Sequence, residues 1–224
     1  MKKWISYFIL VLCIPVVVVL GNTAFSGKKY AFFSLVVVLL ACVPFFLSFE
    51  RKRQSSTRLV LIAVMTALSV AGRLLFAPIA SFKPVAAMVI LTGMYFGGEA
   101  GFMTGAMTAV LSNFYFSQGA WTPFQMFSWG FIGLLSGILA EPLKRNRWLL
   151  YGFGFLSGAL FSLLMDVYTV FSMGNRFNLP LYFTKVASSA PVTIVYCVSN
   201  VIFLLLLAKP IGRRLQRIKD KYGI

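Results

Sequence analysis

The chain has 224 residues, 59% of them hydrophobic and 12% charged, with a mean hydropathy of +0.86 and a formal net charge of +16. A soluble domain is about half apolar and about a quarter charged, so this composition excludes an ordinary soluble domain and predicts a polytopic membrane protein. The apolar runs are continuous rather than alternating, which favours helices over a β-barrel. The absence of histidine removes His-ligated metals, Ser-His catalysis and His proton relays.

Residues 4–25, behind Lys2 and Lys3, read as a first transmembrane helix. A cleaved signal lacks a good small-x-small site, and the residues before Cys13 make a poor lipoprotein box. The segment GNTAFSGKK at 21–29 looks like a phosphate-binding loop, but its spacing is one residue too long and no Ser or Thr follows the lysine. Residues 30–49 form a second span. ERKRQSSTR at 50–58 is a short basic linker, in which Ser56 or Thr57 can cap the next helix.

The third span, 59–76, carries Ala63, Ala67 and Ala71 four apart. They form a stripe of small side chains that lets another helix approach closely; packing inside the same bundle is the competing reading. Arg73 closes this span, and a loop stiffened by Pro78 and Pro84 follows. The fourth span, 84–96, is about 20 Å long if helical, so it must be tilted into protein or lie in a thinned bilayer.

The fifth span, 99–116, opens with Glu99, where an acid suits the helix dipole. It carries Gly101 and Gly105, and the sixth, 123–140, carries Gly133 and Gly137 at the same spacing, both signals of close packing. EPLKRNR at 141–147 is a second basic turn. The seventh span, 148–173, holds Asp166, an acid well inside an apolar run, whose burial costs about 2.5–3.5 kcal/mol at a helix centre. The eighth, 184–208, contains Pro191, able to kink it, and a basic tail follows. Cys13, Cys42 and Cys197 all lie in apolar runs, match no metal spacing and read as packing residues.

With the N-terminus inside, the inner segments hold fifteen of the 21 Lys and Arg and the outer segments six. This bias supports eight spans with both termini cytoplasmic. It accounts for the net charge without nucleic acid, since no basic stripe is interleaved with aromatics outside the membrane. It also puts the uncharged hairpin SNFYFSQGAWTPFQMFSW, 112–129, on the outer face. Within it, Thr122 reads as an N-cap, Pro123 as the first helical residue and Gln125 as the return partner of a capping box. A polar, aromatic hairpin at a membrane face suits a neutral or large amphiphilic ligand; interfacial tryptophan anchoring is the plainer alternative.

The candidate ligand contacts follow from side-chain chemistry. Asn113, Gln118 and Gln125 can pair with amides, while Trp121, Phe124 and Trp129 can cover a flat or apolar face. Trp129 lies four residues after Gln125 and shares its helix face. Arg73 can meet a phosphate or carboxylate, or snorkel. Asp166 can pair with Arg73 or Lys83, or meet ligand itself, and Lys83 is a ligand contact in its own right. Asn175 and Arg176 are loop residues that can reach a ligand or stay solvated.

Enzyme readings fare badly. A paired-carboxylate site needs two acids, and Asp166 alone lies well inside a span. No P-loop survives inspection. A proton-coupled carrier shows several membrane ionisables, and no inverted repeat is evident. No catalytic residue, metal or cofactor is expected. A ligand-binding membrane module that draws its energy from a partner remains.

Three stretches carry a family likeness: AVMTALSVA at 63–71 followed by GRLLF; FKPVAAMVILTGMYFG at 82–97; and GFMTGAMTAVLSNFYFSQGAWTPFQMFSWG at 101–130. Together they resemble the substrate-binding (S) component of energy-coupling factor (ECF) vitamin transporters, most of all the cobalamin type. The likeness covers roughly residues 58–208. It implies an all-α polytopic membrane protein with a six-helix substrate-binding core and basic cytoplasmic tail at 58–224. A two-helix membrane extension and basic linker at 1–57 precede that core. It implies a vitamin ligand, cobalamin or a related corrinoid, and docking on a transmembrane T component and two cytosolic ATPases in a prokaryotic cell membrane. S components are thought to topple in the membrane to release substrate. The family's alanine motif meets the T component and maps onto Ala63, Ala67 and Ala71; its lid loop maps onto the region of Phe76–Pro84. A self-contained carrier using Asp166, and a non-transport scaffold, are the alternatives.

Overall fold

The computed structural model describes Cys42, residues 56–173 and residues 177–223. The two N-terminal spans, Cys13, the linker up to residue 55, and Asn175 and Arg176 lie outside these residues. From residue 56 onward the described residues form seven helices: α1 Ser56–Leu75, α2 Val85–Phe96, α3 Gly98–Phe116, α4 Thr122–Ile138, α5 Ala140–Arg145, α6 Arg147–Met173 and α7 Leu179–Tyr222. No strand occurs among the described residues, and the all-α membrane fold expected from composition is what is found. By length and composition α1, α6 and α7 can each cross a membrane.

The short α2 is the post around which the others stand. Eleven of its twelve residues are buried, as befits a helix that is apolar on every side and offers no stripe to water. At about 18 Å it is shorter than the roughly 30 Å hydrocarbon layer, and protein surrounds it: it contacts all six other helices. Gly97 turns the chain from α2 into α3 with φ +92° and ψ 163°, a region open essentially to glycine alone. Arg58 of α1 donates to the Phe96 carbonyl at 2.8 Å and closes the end of α2.

Glycines set the spacing of the two helix hairpins. A Cβ on Gly105 of α3 would stand 2.5 Å from the Trp129 carbonyl carbon of α4, and one on Gly101 2.5 Å from the Gly133 oxygen. Between α6 and α7, a Cβ on Gly158 would stand 2.6 Å from the Cys197 nitrogen. The spaced glycines are therefore packing devices. Gly105→Leu should destabilise the protein by about 1–3 kcal/mol through overpacking, seen as a lower Tm of the purified chain in detergent. Gly152→Leu, with nothing within 4 Å of its Cβ, should leave Tm unchanged; equal losses at both positions would refute the packing account.

Three expectations need correction. The capping box does not form: Thr122 is already helical, Trp121 is the N-cap without a side-chain bond, and the Gln125 carbonyl is taken by Asn113 instead. The basic turn at 141–147 contains a helix of its own, α5. The eighth span and the tail are one helix of 44 residues that runs through Pro191 and Pro210. It starts before residue 184 because Asn178 caps it, accepting from the Leu181 amide at 3.2 Å. Cys42 and Cys197 are buried free thiols, as packing residues would be.

Candidate functional site

The start of α2, the end of α1 and the hairpin α3–α4 converge on one cluster of polar side chains. Arg73 sits in the last turn of α1. Its Nη1 donates to the Ser112 hydroxyl and, at 2.8 Å, to the Asn113 carbonyl. Asn113 is fully buried, and its amide nitrogen donates to Thr122 Oγ1 at 2.9 Å and to Gln125 Oε1 at 2.8 Å. One buried carboxamide thus ties α1, α3 and α4 together, a network in which every bond raises the cost of losing another.

Aromatic rings frame the guanidinium. Its Cζ lies 4.5 Å from the Phe116 centroid and 5.0 Å from that of Trp129, both within cation–π range. Trp129 is stacked on Phe161 of α6 at 5.1 Å with an interplanar angle of 8°, and Phe161 meets Tyr196 of α7 edge-on at 5.1 Å.

Two neighbouring cavities open here. One, of about 60 Å³, is lined by Arg73, Lys83, Gln125, Trp129, Phe161 and Tyr196 among others. The second, of about 200 Å³, shares Gln125, Phe161 and Tyr196 and adds Ser162, Asp166 and Ser189. The first is aromatic and cationic; the second is rich in hydroxyls around one carboxylate.

The loop 76–84 gives Lys83 to the first cavity and is firmly tied down. The Lys83 ammonium donates to the carbonyls of Phe76, Ala77 and Ile79 at 2.6, 3.2 and 3.1 Å. Its backbone nitrogen donates to Ser199 Oγ at 2.9 Å, anchoring the loop on α7. Phe76 and Phe82 each lie 5.0 Å from the Phe203 ring. Ser81, at φ +61°, holds a left-handed conformation that costs a non-glycine residue about 1–3 kcal/mol and collects at functional sites. Burial first, and then the Arg73 charge, pulls the Lys83 ammonium below its ordinary value.

Of the nine predicted ligand residues, Arg73, Lys83, Gln125 and Trp129 line the first cavity, and Gln125 and Asp166 the second. Asn113 stands behind them as their anchor. Asp166 pairs with neither Arg73 nor Lys83: Ser189 of α7 donates to it at 2.6 Å. Three others are turned elsewhere. Phe124 packs on Tyr168 and Phe171, at 5.2 and 6.2 Å. Gln118 bonds the Val110 carbonyl and Thr122. The Trp121 ring lies over Gly119. The sequence reasoning missed Phe161, Tyr196, Asn200 and Ser189. Asn200, a buried amide four residues after Tyr196, bonds the Gly154 carbonyl at 3.2 Å and was visible as a polar residue inside an apolar run.

At the outer flank of α1, Ala63, Ala67 and Ala71 are all exposed, while Leu61, Ile62, Met65, Thr66 and Ser69 face the bundle. None of the other described helices covers the alanine stripe.

A family model described as "ECF-type riboflavin transporter, S component" matches residues 53–217. No curated protein and no solved structure matches the chain.

Proposed function

The chain belongs to the family of S components of ECF-type riboflavin transporters, and on that premise we propose that it captures riboflavin at the Arg73–Trp129 cleft and hands it inward. An S component is the substrate-binding subunit of a vitamin transporter, not an enzyme. Transport energy then comes from a T component and two ATPases on other chains. The lysine and arginine bias supports an orientation with both termini cytoplasmic and the cleft outside.

The observation that carries the substrate assignment is the pairing of a flat aromatic, cationic cavity with a hydroxyl-rich one across the shared walls Gln125, Phe161 and Tyr196. A flavin has the same two parts, a planar ring bearing carbonyls and a polyol chain. Trp129 and Phe161 offer faces to the ring, and the Nε and Nη2 donors of Arg73 suit its carbonyl edge. Ser162, Asp166 and Ser189 suit the polyol. Cavities of about 60 and 200 Å³ are small beside the roughly 300–1,000 Å³ of drug-sized sites. A flavin therefore needs Phe161 or the 76–84 loop to shift; a corrinoid, several times larger, needs the bundle to part. This favours riboflavin over the cobalamin suggested by the motif likeness.

The test is titration of the purified chain. Riboflavin fluorescence should be quenched at one equivalent, and cobalamin should leave protein and ligand spectra unchanged. Cobalamin binding without flavin quenching would overturn the assignment. Asp166→Asn separates transporter types: uptake in cells should stay ATP-dependent and insensitive to collapse of the proton gradient in both proteins. Gradient-driven uptake lost in the variant would instead identify a self-contained carrier.

A further inference from the structure

A cavity larger than either of the two at the vitamin cleft lies at the opposite end of α2. It has a volume of about 600 Å³ and lies between the last turns of α2, α5, the start of α6 and the distal half of α7. Its floor is apolar, built by Met94, Leu143 and Leu150, all three buried. Its rim carries Lys144, Arg147, Lys209, Arg213 and Arg217 against a single lining acid, Asp220.

Among the described residues the rim has little counter-charge. Asp220 accepts from Gln216 at 2.7 Å, and Glu141 reaches Lys144 at 3.5 Å from a side chain that is 90% exposed. Lys209, Arg213 and Arg217 stand four apart on one face of α7, where like charges repel. Arg214, Lys219 and Lys221 lie on the same helix but do not line the cavity. The rest of the chain offers little relief: residues 1–55 contain one acid, Glu50, beside the basic run that follows it. The arrangement therefore suits a ligand that brings an anion and an apolar tail together. At 600 Å³ the cavity falls within the range of small-molecule sites, and basic pockets between helices at a membrane surface are the setting in which phosphate headgroups are held.

We propose that this cavity binds an anionic phospholipid, with the phosphodiester among Lys209, Arg213 and Arg217 and the proximal acyl chain over Met94, Leu143 and Leu150. The site is separate from the vitamin cleft, which meets α2 at Val85 and Ala86, and the inference does not depend on which vitamin is carried. Native mass spectrometry of the full chain, titrated with phosphatidylglycerol or phosphatidylcholine of identical chains, tests it. Wild type should retain phosphatidylglycerol about tenfold better. The triple variant Lys209→Gln/Arg213→Gln/Arg217→Gln should fall to parity, while Arg214→Gln/Lys219→Gln/Lys221→Gln, with the same loss of charge, should keep the preference. Equal retention of both lipids by wild type, or equal loss in both variants, would overturn the site. Displacement of the lipid by an equal concentration of glycerol phosphate would show a soluble phosphate ligand instead. A rim variant that keeps its lipid but no longer co-purifies with the other transporter subunits would show a protein-docking face. Should the triple variant fail to insert, Arg213→Gln alone, expected to lose several-fold of the preference, decides.

Discussion

Arg73→Ala should weaken riboflavin binding by about 100-fold or more, read as the Kd from flavin fluorescence quenching. The side chain has two jobs in the cleft. Its Nη1 holds Ser112 and Asn113, and Asn113 in turn holds Gln125, which faces both cavities. Hydrogen bonds to a charged group are worth roughly 1.5–3 kcal/mol each, and truncation releases two while removing the charged donor available to the flavin carbonyls. A loss of about 2.7 kcal/mol corresponds to 100-fold in Kd. Arg73→Lys should fall between, because an ammonium keeps the charge but cannot span Ser112, Asn113 and a ligand with a planar fork. A Kd within threefold of wild type for the alanine variant, in a chain that still inserts, would remove Arg73 from the site.

The second large effect should leave binding alone. Ala67→Trp should preserve the Kd of the isolated chain within about twofold, while ATP-driven uptake and co-purification with the T component fall by at least tenfold. Inside a bilayer helices are not driven together by the hydrophobic effect; close van der Waals fit does that work, and small residues allow it. Ala63, Ala67 and Ala71 form an exposed furrow on α1, flanked by exposed Val64 and Leu68. An indole at its centre prevents a partner helix from seating. Leu156→Trp, on an α6 residue that is 65% exposed, is the control for a bulky ring facing lipid and should transport normally. If Ala67→Trp also transports normally, the furrow is not the docking face.

Much of this architecture was legible as apolar runs. Each span from the third onward corresponds to a helix, and the burial of α2 followed from its being apolar on every side yet too short to cross. The continuation of α7 past Ala208 was hidden because hydropathy falls as the charges begin. The signal was still there, in Ile211, Leu215 and Ile218 spaced as one helix face and packed inward. At the site, Arg73, Asn113, Gln125 and Trp129 stood out as polar or large residues near the ends of apolar runs. Phe161 and Tyr196 did not, since 23 phenylalanines and nine tyrosines give no reason to single out two. The capping box failed for a related reason. Thr122 and Gln125 had the right spacing, but the nearby Asn113 amide, invisible to a local pattern, offered both of them a better-placed donor.

The length of α7 constrains how such a protein can move. The helix is about 66 Å long at 1.5 Å per residue, and its final 14 residues, from Lys209 to Tyr222, carry six cations. Drawing any one of them to the bilayer centre costs about 2.5–3.5 kcal/mol, so this arm must stay wet through any tilt of the bundle. We therefore expect Lys219→Cys to remain reactive toward an impermeant thiol reagent throughout turnover, and its protection would refute the idea. Pro210 stands where the oily part of the rod gives way to the charged part; it has no N–H to offer the Leu206 carbonyl, yet the helix runs on through it. The arm is then a keel: it forbids any roll of the bundle that would take it under.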